Sequence, residues 1–442
     1  MKNEQLTALM DGRVMGVVSR KSGGQLSFAY DAMWRESRDA IPLSVSMPLA
    51  RAEHGHEVVD PWLSGLLPDN EEVLRRWGQR CHVSARNTFG LLSHVGEDCA
   101  GAAQLVREER LAAVMSNEAW DVEWLEEGDI ETRLGALQRD RSAWRSSRDT
   151  GQFSLAGAQP KTALLFEDGR FGVPSGRAPT THILKPPIPE FDGHVENEHL
   201  CLALAREFDL PTAHSKVQWF GEQVAIVIER YDRLRITDSA GIEKSQAATL
   251  AQTQPILRVH QEDTCQALGV HPSSKYQNEG GPSPEDVVNL LRANSSRAEE
   301  DVQTFVMALA FNWLIAGTDA HAKNYSILHG HGRNVRLAPL YDLASALPYE
   351  DMDPQRIRLA MKIGGKYRLR DVARRQWENL STALALDPQQ LVEKVCEMAA
   401  RVPDAMSVVC ERARRDQLAH PIIGKLEELI AARAEYCLSR LH

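Results

Sequence analysis

The sequence has no long hydrophobic run, and none reaches the roughly 18 apolar residues that a membrane-spanning helix needs. The segment from Met1 to Gly12 is polar and lacks the apolar core of a secretion signal. We therefore expect neither membrane insertion nor secretion, and we expect a cytoplasmic protein.

The cysteines also form no metal-binding or disulfide motif. The seven cysteines are odd in number, widely scattered and contain no C-x-x-C spacing. This excludes a zinc site of the usual spacing and a disulfide framework. We expect reduced, mostly buried thiols.

An excess of basic charge is missing as well. The formal net charge is −10 over 442 residues, whereas nucleic-acid-binding proteins usually present a basic surface. If the protein acts on DNA, another protein must hold it there. At about 150 residues per domain the length predicts two or three domains, and the 43% hydrophobic and 25% charged residues are ordinary for a globular protein.

Reactive side chains concentrate in one stretch, residues 311–326. An apolar helix ends there, and Asp319, His321, Lys323 and Asn324 follow within six positions. The D-x-x-x-x-N spacing is that of kinase loops, in which the Asp accepts the proton of the attacking hydroxyl and the Asn binds Mg²⁺. The sequence therefore predicts a catalytic loop for phosphoryl transfer.

A second carboxylate is needed to bridge the metal to the phosphates, and Asp342 can supply it. It follows a hairpin-like interval that contains Gly330, Gly332 and Asn334. The spacing is also common by chance, and an Asp after a helix is more often part of a solvated turn. That alternative stays open on these residues alone.

The segment from Ser154 to Lys161 is the second candidate for phosphate binding. Its small residues, Ala156, Gly157 and Ala158, allow backbone N–H groups to approach a phosphate, and the lysine adds positive charge. It matches neither common glycine-rich phosphate motif, so an ordinary turn is the competing interpretation. A strand, a turn and a strand follow, which fits a flap-like hairpin over a nucleotide.

Lys185 ends a predicted strand at 181–185, directly before Pro186-Pro187. Burying a lysine without an anionic partner is costly, so phosphate is a natural partner; an edge lysine that reaches solvent is the alternative. Apolar spacing predicts a helix over 194–208. Glu198 would then lie at the margin of its buried face, and we hypothesise an ion pair between Glu198 and Lys185.

The stretch 223–233 is an apolar strand that continues into a polar segment. This is typical of a hinge between two lobes, and backbone groups around Glu229 and Tyr231 would be free to bind an adenine edge. Residues 236–255 are polar and predict an exposed insertion. From His260 onward we expect a mostly helical lobe.

The N-terminal part, residues 1–110, shows no catalytic grouping. Two-residue alternation predicts strands over 13–18 and 25–30 and a possible third over 42–49. Acidic residues at its start favour a helix over 71–77. We expect a small α+β packing module.

The remaining segments are interpreted as linker and packing body. Residues 110–150 are polar and mixed in charge, and the run 139–149 within them is interpreted as a solvated linker or as the approach to a loop. A helix over 298–316 delivers the catalytic loop. Residues 370–440 predict three or four amphipathic helices, broken at Pro403 and Pro421.

In this order, the motifs resemble the HipA family of serine/threonine kinase toxins from bacterial type II toxin–antitoxin modules. They are Ser154-x-Ala156-Gly157-Ala158-Gln159-x-Lys161, Lys185, Glu229-Arg230-Tyr231-Asp232-Arg233, His260-Gln261-Glu262-Asp263, Thr318-Asp319-x-His321-x-Lys323-Asn324 and Tyr341-Asp342. The resemblance implies an α+β, protein-kinase-like two-lobed fold. Its divisions would be an N-terminal α+β subdomain (1–110), a kinase N-lobe (111–235) and a helical C-lobe (236–442).

The resemblance also implies site roles, with ATP and Mg²⁺ as cofactors. Asp319 would be the general base, with His321 and Lys323 also catalytic, and Asn324 and Asp342 would bind the metal. Ser154 would be autophosphorylated, placing acidic charge where the ATP phosphates must lie. Residues implied to bind the nucleotide are Ala156, Gly157, Ala158, Gln159, Lys161, Lys185, Glu229, Tyr231, Gln261, His321, Asn324, Tyr341 and Asp342.

Partners follow from the same resemblance. A helix-turn-helix antitoxin of the HipB type would bind operator DNA and tether the toxin, in agreement with the acidic charge. The protein substrate would be an aminoacyl-tRNA synthetase such as glutamyl-tRNA synthetase, whose modification inhibits translation and growth. The insertion at 236–255 and the prolines at 186–189 depart from the family pattern, which leaves the target open.

Two other interpretations remain. One is a small-molecule kinase, because such enzymes also use an Asp, an Asn and a later Asp around magnesium. The other is an inactive, kinase-like co-repressor bound to an antitoxin. The presence of Asp319, Asn324, Asp342 and Lys185 argues against the second, since a scaffold has no need of all four.

Overall fold

The computed structural model describes residues 4–116, 120–143, 154, 156–176, 178–235, 256–330, 332, 334–349 and 356–442. The predicted insertion at 236–255 lies outside this part of the chain. Within it, no helix combines the length and apolar character that crossing a bilayer requires.

The N-terminal module is an antiparallel five-stranded sheet with five helices, and the strand order is β4-β3-β2-β1-β5. Its apolar core contains Phe28, Trp62 and Trp77. The strands are β1 (Glu4–Met10), β2 (Arg13–Arg20), β3 (Leu26–Tyr30), β4 (Glu53–His54) and β5 (Gln104–Val106). The helices are α1 (Ala32–Glu36), α2 (His56–Gly65), α3 (Glu71–Cys81), α4 (Thr88–Val95) and α5 (Glu108–Met115).

The possible strand at 42–49 is not formed, so that prediction is wrong. The buried Tyr30 hydroxyl accepts from Leu43 N–H at 2.7 Å and donates to the Met47 carbonyl at 2.5 Å. The Ser44 hydroxyl also accepts from Ser46 N–H. These side-chain bonds use the groups that a strand would pair, and the segment turns instead.

The next part is a six-stranded antiparallel sheet in the order β10-β11-β9-β7-β8-β6. Two helices accompany it. The strands are β6 (Trp120–Trp124), β7 (Thr162–Glu167), β8 (Arg170–Gly176), β9 (His182–Lys185), β10 (Ser215–Phe220) and β11 (Gln223–Glu229). The helices are α6 (Glu127–Arg139) and α7 (His194–Arg206).

Residues 120–139 form a strand and a helix that their polar composition did not predict, whereas residues 140–143 of the predicted linker or loop approach lie outside helices and strands. β6 pairs with β8, and α6 buries Ile130 and Leu134 against Leu164 and Phe171 of the sheet. The apolar residues of α6 recur at three to four positions, but charged residues between them hide this period in the composition. Residues 144–149 lie outside the described chain.

Over its described residues, the C-terminal part is mainly helical, with three small sheets. Its strands are β12 (Arg233–Arg235), β13 (Ile256–Arg258), β14 (His260–Asp263), β15 (Ser326–Gly330), β16 (Asn334–Leu337), β17 (Arg358–Ile363) and β18 (Lys366–Arg368). Its helices are α8 (Thr264–Ala267), α9 (Pro284–Asn294), α10 (Ala298–Ile315), α11 (Arg374–Ala383), α12 (Pro388–Arg415) and α13 (Ile422–Ser439). Short 3₁₀ turns lie at Pro272–Ser274, Gln277–Glu279, Ala322–Asn324 and Leu369–Asp371.

Pro403 does not break the C-terminal helices, which corrects the prediction there. It lies inside α12, whereas Pro421 does directly precede α13. A proline in a helix interior costs about 3 kcal/mol. Val402 and Met406, both fully buried on this helix, each contribute about 1.5–3 kcal/mol of burial, which offsets that cost.

The helix α10 lies at the centre of the C-terminal core. The face predicted for it, with Val302, Phe305 and Trp313, is buried as expected, and Ala308 and Phe311 between those positions are buried too. The Trp313 ring meets Trp377 of α11 edge-on, with ring centroids 5.6 Å apart. Because packing holds this helix on every side near its C-terminal end, the loop that follows it starts from a rigid support.

Candidate active site

One cleft of about 670 Å³ lies where the six-stranded sheet, the helical part and the N-terminal module meet. Every residue predicted to act in catalysis or nucleotide binding lines it, and of the predicted site residues only Ser154 does not. The lining residues from that set are Ala156, Gly157, Ala158, Gln159, Lys161, Lys185, Glu229, Tyr231, Gln261, Asp319, His321, Lys323, Asn324, Tyr341 and Asp342.

The turn out of α10 sets the direction of the loop. Ala316 caps the helix in the left-handed conformation with φ of 55°, and Gly317 N–H donates to the Asn312 carbonyl at 2.7 Å. A Cβ at Gly317 would collide with the Asn312 side chain. A side chain at position 317 would have to displace the buried Asn312 side chain, and glycine avoids this contact.

The loop is then closed by its own hydrogen bonds. His321 N–H donates to the Asp319 carbonyl at 2.8 Å, and Asn324 Nδ2 donates to the same carbonyl at 2.8 Å. The Asp319 carboxylate accepts from the Tyr276 hydroxyl at 2.5 Å. The spacing of Asp319 and Asn324 thus joins them in one compact turn. The side-chain amide oxygen of Asn324, Oδ1, is left for another ligand.

Burial changes the acid–base behaviour of His321. Its side chain lies inside the protein, with Nδ1 lacking a hydrogen-bond partner, and its ring meets Tyr276 edge-on at 4.9 Å. Desolvation lowers its pKa to about 4. The imidazole is therefore neutral near pH 7 and can offer a hydrogen bond to a ligand in the cleft.

Lys185 is the buried cation of the site. It is only 4% exposed, which excludes the solvent-reaching edge lysine, and Nζ contacts Glu198 Oε1 at 2.7 Å and Asp342 Oδ1. The hypothesised pair with Glu198 is confirmed, although Glu198 lies fully inside and not at the margin. Burial alone would raise the pKa of Asp342, but the charges of Lys185 and Lys161 outweigh it and keep that pKa below its usual range.

The backbone of Asp342 is itself unusual, with φ of 56°. An Asp adopts this left-handed conformation more easily than most residues, but still at some cost. The surroundings therefore hold the carboxylate in a defined direction toward Lys185.

In the segment predicted to bind phosphate, residues 156–161, the terminal Lys161 contacts the backbone at the start of the segment. Lys161 Nζ donates to the Ala156 carbonyl at 2.6 Å, and Gly157 has φ of 103° directly beneath that amine. Burial and the neighbouring charge of Lys185 lower the pKa of Lys161 to about 8. Gln159 Nε2 is buried without a hydrogen-bond partner, so the segment has a donor to offer to an anion.

The motif after β11 divides into two groups. Tyr231 stacks on Tyr341 with centroids 5.8 Å apart, and its hydroxyl donates to Gln261; Glu229 ends the strand and is exposed. The Tyr341 hydroxyl donates to the Lys323 carbonyl at 2.6 Å, which ties this ring to the loop. These aromatic side chains form one wall of the cleft.

The charged members of that motif have a structural role. Arg230 and Arg233 pair with Asp232 at 2.8 and 2.9 Å, and Arg233 also contacts Asp98 of the N-terminal module at 2.9 Å. All four are buried, and buried charges are tolerated only when paired and hydrogen-bonded. This network joins the N-terminal module to the six-stranded sheet.

Sequence reasoning missed three residues of the site: Asp69, Lys275 and Tyr276. The Asp69 carboxylate accepts from Lys275 Nζ at 2.7 Å and from Lys323 Nζ. It comes from the N-terminal module, 254 positions before Lys323. No spacing rule connects residues that far apart, so the expectation that this module carries no group of the site was wrong.

Ser154 lies beside the cleft and not in its wall. It is fully buried, its hydroxyl donates to the Leu66 carbonyl at 2.8 Å, and its N–H donates to the Asp98 carbonyl at 3.0 Å. In this conformation its oxygen has no access to a ligand in the cleft.

The two residues predicted to bind Mg²⁺ offer oxygen donors to the cleft. In the described part of the chain, no group of three or more His, Cys, Asp or Glu side chains is arranged to hold a metal ion. Asp342 and Asn324 instead offer one carboxylate and one amide oxygen. Mg²⁺ is commonly held by one or two protein oxygens plus phosphates and water, so these residues fit it.

Comparison with known proteins identifies the family of this chain. The HipA N-terminal domain matches residues 6–106, and the HipA-like C-terminal domain matches residues 153–406. The chain belongs to the HipA family. The predicted HipA-family kinase is thereby confirmed.

Two relatives show how far the sequence similarity extends. The chain is 34% identical over 430 residues to the putative kinase Y4mE of Sinorhizobium fredii, covering 95% of this chain and 97% of the relative. It is 28% identical over 400 residues to the serine/threonine-protein kinase toxin HipA of Shewanella oneidensis, covering 86% and 83%.

A solved structure supports the HipA-type fold. The chain superposes on HipA in the complex of Shewanella oneidensis HipA, HipB and operator DNA with a TM-score of 0.80 and 25% identity, covering 98% of this chain and 97% of that one. The predicted α+β fold with a helical C-terminal part is confirmed.

Proposed function

We propose that this protein is a serine/threonine protein kinase toxin that transfers the γ-phosphate of ATP to a serine of a protein. One observation carries the proposal. Asp319 and Asn324 of the catalytic loop, Asp342 and Lys185 come from three separate segments and line the same cleft, and this is the set that phosphoryl transfer requires.

In this proposal Asp319 orients the acceptor hydroxyl and accepts its proton. The acceptor oxygen bonds to the γ-phosphorus as the bond to the bridging oxygen of ADP breaks. Lys185 would bind the phosphates, held in direction by Glu198, and the segment 156–161 would supply backbone donors. His321 would lie beside the phosphates, and Lys323 would be a further catalytic residue of the loop.

The remaining side chains would bind the rest of the nucleotide and the metal. Glu229 and Tyr231 would lie at the adenine, with Gln261 and Tyr341 beside them. Asn324 and Asp342 would hold Mg²⁺, which when bound neutralises charge on the phosphates. We propose the divisions 1–110 for the N-terminal subdomain, 111–235 for the N-lobe and 236–442 for the C-lobe. Helix α5 (Glu108–Met115) crosses the first boundary, and β12 (Arg233–Arg235), which pairs with β13, lies directly before the second.

We assign the partners by the same reasoning. The similarity to HipA in a complex with HipB and operator DNA supports a HipB-like helix-turn-helix antitoxin as the partner. A net charge of −10 agrees with DNA contact mainly through that antitoxin. The protein substrate would be an aminoacyl-tRNA synthetase such as glutamyl-tRNA synthetase, met in the cytoplasm.

Incubation of the purified protein with γ-labelled ATP, Mg²⁺ and a bacterial lysate tests the activity. We expect label on a serine of a protein, because the open cleft can admit a protein acceptor. The labelled band should have the size of an aminoacyl-tRNA synthetase, the proposed substrate. Label in small molecules only would favour the small-molecule kinase. No transfer at all would favour the inactive co-repressor.

Autophosphorylation of Ser154 is a separate prediction. The serine is buried, so a phosphate bearing nearly two charges cannot remain there and the segment must leave its place. After incubation with ATP we expect phosphate on Ser154 by mass spectrometry and weaker ATP binding in the modified fraction. Ser154→Ala should keep transfer to other proteins and lose this label. Equal self-labelling of Ser154→Ala would place the site elsewhere.

A further inference from the structure

Among the described residues, Asp69 is the carboxylate of the N-terminal module that pairs with the lysines at the catalytic loop, Lys275 and Lys323. Its side chain is 11% exposed and lies between two ammonium groups, Lys275 Nζ at 2.7 Å and Lys323 Nζ. Lys323 is itself only 5% exposed. The pairs are therefore shielded from water, where ion pairs are strong and their loss is costly.

The same short segment also contacts the predicted phosphate loop. Asp69 N–H donates to the Gly157 carbonyl at 3.3 Å, and Pro68 forms a parallel bridge with Gly157. One turn earlier, the Leu66 carbonyl accepts from Ser154. Residues 66–69, here called the N-terminal clamp, thus bind both walls of the cleft at once.

The charge balance explains why an acid is needed at this position. Lys161, Lys185, Lys275 and Lys323 all line the cleft, and Lys185 already has Glu198 and Asp342. Burial would raise the pKa of Asp69, but Lys323 and Lys275 outweigh it and hold that pKa at about 2.

Asp69 is therefore ionised at any physiological pH. Without it, Lys323 would be a buried cation drawn toward the nucleotide phosphates. Because Lys323 lies next to Asn324, the loop would move with it.

We infer that Asp69 is a positioning residue for phosphoryl transfer, and that the N-terminal clamp completes the active site by holding the catalytic loop through Lys323. This inference rests on the proposed function. It assigns to the N-terminal module a direct part in catalysis, beyond packing.

The test compares Asp69→Asn, Asp69→Glu, Lys323→Met and the double variant Asp69→Asn/Lys323→Met in the full chain. Asp60→Asn serves as the matched control, since Asp60 lies on α2 in the same module and does not line the cleft. Steady-state rates with ATP, melting temperature and hydrogen exchange are measured for each.

We expect kcat of Asp69→Asn to fall about tenfold to a hundredfold with KM for ATP changed less than about threefold, and Asp69→Glu to recover part of the loss. The double variant should be no slower than Lys323→Met alone, because both remove the same pair. Asp60→Asn should behave as the wild type.

Hydrogen exchange gives a readout that needs no activity. The amides of His321 and Asn324 are hydrogen-bonded in the loop, and they should exchange faster in Asp69→Asn than in the wild type. If these amides are equally protected, or if the two substitutions multiply their effects on kcat, Asp69 does not act through the loop. A wild type without phosphoryl transfer would instead overturn the proposed function, and the exchange data would still decide the role of Asp69.

Discussion

Asp319→Asn is expected to reduce phosphoryl transfer by about a thousandfold or more. A positioned general base contributes about 10²–10⁴ in rate, and an amide cannot accept the proton. The substitution keeps the size of the side chain and an oxygen that can still accept a hydrogen bond from the Tyr276 hydroxyl, which lies 2.5 Å from the Asp319 carboxylate in the wild type. The loop should therefore keep its shape, and KM for ATP should change little.

The measurement is kcat with γ-labelled ATP, together with growth of cells that express the chain without its antitoxin. Asp404→Asn is the control, since Asp404 is exposed on α12. Growth inhibition that persists in Asp319→Asn would show that catalysis is not the basis of toxicity. Full transfer activity in this variant would remove Asp319 from the role of base.

Lys185→Met should have the second largest effect, a decrease of about 10²–10³ in kcat. Removal of one preorganised donor to the charge that develops in a transition state has an effect of this size. It also leaves Glu198 and Asp342 without their cation. Breaking a buried pair from one side costs about 3–5 kcal/mol of stability. We therefore expect a lower melting temperature as well as slower transfer, and weaker ATP binding.

The double variant Lys185→Met/Glu198→Gln separates these contributions. Because Nζ and Oε1 are 2.7 Å apart in a buried site, the double variant should be destabilised by less than the sum of the two single variants. Lys216→Met on the exposed side of β10 is the control and should leave both rate and stability near wild type. Additive effects would mean that the pair contributes nothing as a pair.

The elements that were predicted well are those whose cause is local. The period of α10 over 298–315, the turn at Gly317 and the hairpin before Asp342 all depend on residues within a few positions. Element β6 and helix α6 were missed because their charged residues mask the apolar period. Pro403 was misjudged because its cost is local, whereas the burial around it that offsets the cost comes from packing in the core.

The site divides in the same way. Sequence alone determined which reactive side chains the chain carries and the spacing of Asp319 and Asn324 within one turn, because a turn is set by neighbouring backbone bonds. Only the tertiary structure decided that Lys185 meets Glu198 and Asp342, that Ser154 is buried, and that Asp69 holds Lys323. Such contacts depend on distance through space and on exclusion of water, and neither quantity is written in the order of residues.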